Sequence, residues 1–181
     1  MINRVLIRLK IVQIIYAYYK NSGKTLKATE DEVFFSLSKA YDLYNYMLLL
    51  IVGITHYAAD RISFLSMKIR PTESDRNPNL KFVNNRFALQ LENNEQLKKF
   101  AEKSKLNWVE NSDLLRRMLD KIEESDIYKE YMAAETSSYE EDKELWRKLY
   151  KAFVFDNEEL DSLLEEQSLY WNDDKQIVDT F

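Results

Sequence analysis

Two glycines and two prolines in 181 residues leave this chain almost no means of turning tightly. Short hairpins need residues that accept positive φ or preset a turn, and Gly and Pro supply most of them. Sheets joined by such hairpins, and glycine-rich loops that cradle phosphates, are therefore excluded. With 45% hydrophobic and 31% charged residues, the chain is too apolar for a disordered tail and has the charged surface of packed helices. The expected fold class is all-α, a multi-helix bundle.

Apolar periodicity divides the chain into helical segments. Residues 2–20 carry Val5, Leu9, Val12, Tyr16 and Tyr19 at helical spacing, a candidate buried stripe. Ile7, Ile11, Ile14 and Ile15 lie on the other side, so the helix is apolar nearly all round and is expected to sit between other elements. Asn21-Ser22-Gly23 ends it. Thr29 and Glu32 read as a capping box that opens a second helix. That helix keeps Leu37, Tyr41, Tyr44, Leu48, Ile51, Ala58, Ile62 and Leu65 on one face, as a single helix or two end to end, and Arg70-Pro71 stops it. Its most lipid-like run, Met47 to Ile54, is far short of the ~20 residues of a membrane span and reads as core. Pro71 to Asn79 reads as an irregular connection. Helices are further expected over 81–105, from Ser112, over 127–134, from Ser138 with Glu141 as a second capping box, and from Asn157. A last helix begins near Asp173 and leaves Ile177, Val178 and Phe181 with an uncompleted apolar face. The natural polypeptide is therefore expected to continue past Phe181.

Few groups here can do covalent or metal chemistry. Cysteine is absent, which removes disulfides and thiolate ligands and fits a reducing cytoplasm. His56 is the only histidine, and its i, i+4 partner Asp60 makes at most half a metal site. Glu123-Glu124, Glu140-Glu141 and Glu165-Glu166 are explained as solvated helix faces. No enzymatic activity, cofactor or metal is expected.

Charge is distributed unevenly. Arg4, Arg8, Lys10, Lys20, Lys24 and Lys27 precede the first acid, Glu30. Six of the 26 Lys and Arg fall there, leaving 20 positives against all 31 Asp and Glu in the rest, a net of −11. A cationic end on an acidic body points to an anionic partner. Arg4 and Arg8, one helical turn apart, could follow a phosphate backbone. Tyr16 offers a ring for a splayed base, and Gln13 an amide for a base edge. Gln13 and Tyr16 could equally be packing residues. Most other aromatics, Tyr41, Tyr44 and Tyr150 among them, read as core.

The run Arg4-x-x-x-Arg8-x-x-x-Val12-Gln13-x-x-Tyr16 resembles the amino-terminal helix of the NusB family of transcription antitermination factors. Leu145 to Leu164, with Leu149-Tyr150 and Glu159-Leu160-Asp161, is similar to the family's next helix pair. Trp171-Asn172 followed by Ile177-x-Asp179 is similar to the stretch after it. The resemblance implies a NusB-like first helix over 1–21, a helical insertion over 22–137 as in the long Bacteroides-type form, and a second NusB-like helix pair with the start of another helix over 138–181. It further implies a cytoplasmic protein of ribosomal RNA synthesis that binds single-stranded boxA-type RNA with the ribosomal protein NusE, in the RNA polymerase antitermination complex. Arg4, Arg8, Gln13 and Tyr16 match the RNA-contacting helix, with Lys10 a neighbour in charge. The alternative is a helical protein-interaction or dimerisation module that binds no RNA.

Overall fold

The computed structural model describes residues 4–20, 25–171 and 174–179, and among these it contains helices and no strand. The elements are α1 (Arg4–Lys20), α2 (Leu26–Ser66), α3 (Glu73–Arg76), α4 (Arg86–Glu92), α5 (Glu95–Ser104), a 3₁₀ turn (Val109–Asn111), α6 (Ser112–Glu124), α7 (Asp126–Ala133), α8 (Tyr139–Leu149), a π turn (Tyr150–Val154), α9 (Glu158–Gln167) and α10 (Lys175–Val178). They form two compact units, residues 1–45 with 158–181, and residues 46–157. The resemblance drew its boundaries at 21/22 and 137/138. The Asn21-Ser22-Gly23 stop of α1 lies outside the described residues.

Side chains that satisfy backbone ends set most helix boundaries. α2 starts earlier than the Thr29–Glu32 pattern predicts, because Thr25 caps it by accepting from the Ala28 N–H at 3.2 Å. Thr29 lies inside the first turn, its hydroxyl donating to the Thr25 carbonyl. α2 runs unbroken for 41 residues, about 60 Å. Its length and apolar content would suffice for a bilayer span, yet Leu43, Tyr46, Met47, Leu50, Ile51 and Ile54 are buried in the protein. The expected face is met at Ile51 and Ala58, which are buried, but not at Tyr41, which is 47% exposed while Ala40, Leu43 and Leu50 are inside. The 71–79 connection holds one helical turn, α3, under a Thr72–Asp75 capping box. Asn85 and Asn94 cap α4 and α5 separately, which splits the single helix expected over 81–105. The Ser138–Glu141 capping box forms as expected.

In the 46–157 unit Leu115, Met118, Leu119 and Ile122 of α6 are all at most 4% exposed, and Leu115 lies beside Gly53 of α2. Trp108 stacks on Tyr46 at 4.2 Å and donates its indole N–H to the Tyr46 carbonyl. Gly53 permits this approach, since a Cβ there would lie 3.2 Å from the Trp108 Cβ. Arg61 bridges to Asp120 and Glu123 on α6 at 2.6 and 2.7 Å, so Glu123 is half-buried and paired, not a freely solvated carboxylate. Burial pushes its carboxyl up against the pull of Arg61. The π turn after α8 closes with Phe155 N–H donating to the Tyr150 carbonyl. It adds a residue to that turn, so Val154 is buried and Phe153, the expected core position, is only partly covered.

Candidate nucleic-acid interface

Because α1 is apolar nearly all round, its hydrophobic pattern does not select an inward face, and packing in the 1–45/158–181 unit does. Leu6, Lys10 and Ile14, each four residues from the next, are the buried positions. The stripe expected from spacing largely faces water: Val5 is 56%, Val12 and Tyr16 64%, and Tyr19 81% exposed. α1 is therefore covered on one side and open on the other, and is not enclosed by neighbours.

The reason for this choice is electrostatic as well as apolar. Lys10 is 4% exposed and its ammonium sits 2.5 Å from Asp174, itself fully buried at the start of α10. Next along, Lys175 reaches Asp161 of α9 at 3.0 Å and Asp179 at 2.8 Å. Trp171 closes the same end, donating its indole N–H to the Lys39 carbonyl of α2 at 2.9 Å. Unpaired, Lys10, Asp174, Lys175 or Asp179 would be costly inside the protein, so these pairs tie α1 and α9 to α10, and the Trp171 bond adds α2.

Lys10 thereby drops out of the candidate RNA-binding set, since its charge is spent on Asp174 and water does not reach it. Arg4 and Arg8 are exposed, and no ion pair holds either among the described residues. Tyr16 shares the open side, with the Lys20 ammonium 5.7 Å from its ring centre. Tyr18 and Tyr19 pack edge to face at 5.8 Å near the end of the helix. Gln13 is half-covered on the flank of the buried stripe. Of the other amino-terminal cations, Lys20 and Lys27 are exposed and Lys24 lies outside the described residues. The open side thus joins two arginines one turn apart, with about 6 Å between their Cβ atoms, to a tyrosine ring within reach of an ammonium. Phosphate contact and base stacking both need such groups in water.

His56 pairs with Glu92 of α4 at 2.9 Å, not with Asp60. Among the described residues no group of three or more His, Asp or Glu could hold a metal ion. Spacing alone missed the Lys10–Asp174 pair, whose only sequence trace is a lysine amid isoleucines and leucines. No protein-family model, curated protein or solved structure matches the chain.

Proposed function

We propose that this chain is a non-enzymatic, NusB-like RNA-binding factor of transcription antitermination, which engages boxA-type single-stranded RNA through the open side of α1 together with the ribosomal protein NusE. The observation that carries the reading is the state of Arg4 and Arg8, both in water and neither held by a carboxylate among the described residues. Their charge is available to phosphates, and the resemblance of the α1 motif supplies the class of RNA. Tyr16, exposed beside Lys20, adds a stacking surface. The test is binding of a boxA-like single strand across a salt series. Affinity should fall steeply with salt, and Arg4→Ala and Arg8→Ala should each reduce the slope of log affinity on log salt by about 1. Unchanged affinity in both variants removes the reading.

A second reading, a protein-interaction or dimerisation helix, is favoured by the exposure of Val5, Val12 and Tyr19 on that same side. It predicts elution that depends on protein concentration and no shift of single-stranded RNA on a gel.

A further inference from the structure

The 46–157 unit contains an open groove of about 540 Å³ between α2 and the segment from Ala101 to Leu115. Leu49, Val52, His56, Asp60 and Phe64 line it along α2 at steps of three and four, a continuous helical stripe about 22 Å long. The floor is Trp108 pressed against Gly53. The lips are Phe64 and Val109, which are 73% and 79% exposed although both are large and apolar. A compact small molecule would leave most of such a trough open. A helix of about four turns fits its length and its i, i+3, i+4, i+7 grain.

Charge at one end of the groove selects the occupant further. Arg61 is taken up by Asp120 and Glu123, and Asp60 has no ion pair among the described residues. Asp60 is thus the one carboxylate that lines the groove, and the neighbouring Arg61 charge is already met by Asp120 and Glu123 outside the lining. We propose that this groove is the docking site for an amphipathic helix of a partner protein, with apolar residues along the Leu49-to-Phe64 stripe and a lysine or arginine on the flank that meets Asp60. The proposal is independent of RNA binding by α1, because it involves neither Arg4 nor Arg8.

Two labelled helical peptides of about 18 residues test it, with leucines at i, i+4 and i+7 and differing only in whether the flank carries Lys or Glu. Fluorescence anisotropy with the full chain should give micromolar binding of the Lys peptide and at least tenfold weaker binding of the Glu peptide. Asp60→Lys should reverse that preference. Phe64→Ser and Val109→Ser alter exposed side chains, so the fold should survive by circular dichroism while binding of the Lys peptide falls at least tenfold. Equal binding of the two peptides, or binding unmoved by Phe64→Ser, overturns the proposal. Self-association in sedimentation that Phe64→Ser abolishes assigns the groove to a second copy of this chain and overturns it as well.

Discussion

Asp142 is 1% exposed and accepts hydrogen bonds from the Tyr131 hydroxyl at 2.6 Å, the Arg86 backbone N–H at 2.9 Å and the Ser137 hydroxyl. Burial pushes its carboxyl up, but these three donors outweigh burial and hold it below the usual aspartate value. A carboxyl depressed in the folded protein stabilises it at and above the ordinary pKa, and this contribution is lost as pH falls through the lower folded value. Asp142→Ala leaves the donors without their acceptor and should lower unfolding stability at neutral pH by about 3 kcal/mol, measured in urea. The difference between variant and parent should shrink as pH drops below about 4. The opposite case is found at Tyr46, Tyr128 and Tyr131, whose hydroxyls burial pushes up to about 12. Since the unfolded chain gives up these protons near pH 10, stability should fall as pH rises from 10 toward 12. Absorbance titration should show three of the chain's tyrosines ionising late, in step with unfolding.

Within an element, a single atom can decide whether an improvement in propensity helps. An alanine at mid-helix is ordinarily better than glycine by about 1 kcal/mol. At Gly53 the added Cβ would press on Trp108, which is pinned by its stack on Tyr46 and its bond to the Tyr46 carbonyl. Trp108 cannot give way, so Gly53→Ala should lower stability by about 1 kcal/mol and Gly53→Val by more. Thermal unfolding of both variants checks the order, and a stabilised Gly53→Ala would mean that Trp108 moves. The π turn at 150–154 has a related consequence, because its extra residue moves the buried position from Phe153 to Val154. A pattern that assumes uninterrupted α geometry misses that shift. The capping boxes at Thr72 and Ser138 depend only on neighbours along the chain. Of these, the Ser138 box was legible from its spacing.

At the scale of the whole chain, residues far apart in sequence are held by buried charge. Lys10→Ala would remove the ammonium that faces buried Asp174, at a cost of about 3 kcal/mol. Hydrogen exchange should then quicken in α1 and around 174–179, with α6 as the unmoved control; unchanged exchange in α1 would show that the pair does not hold it. The all-α class, the helices from Ser112 and Ser138 and the separation of cationic and acidic stretches were all readable from residue order. Each rests on composition or on interactions within a few residues. Which side of α1 meets water was not readable, because a helix apolar all round has no preferred direction until Asp174 claims Lys10. The exposure of Arg4, Arg8 and Tyr16, the covering of Lys10 and the groove over Trp108 all follow from contacts between segments that no local spacing records.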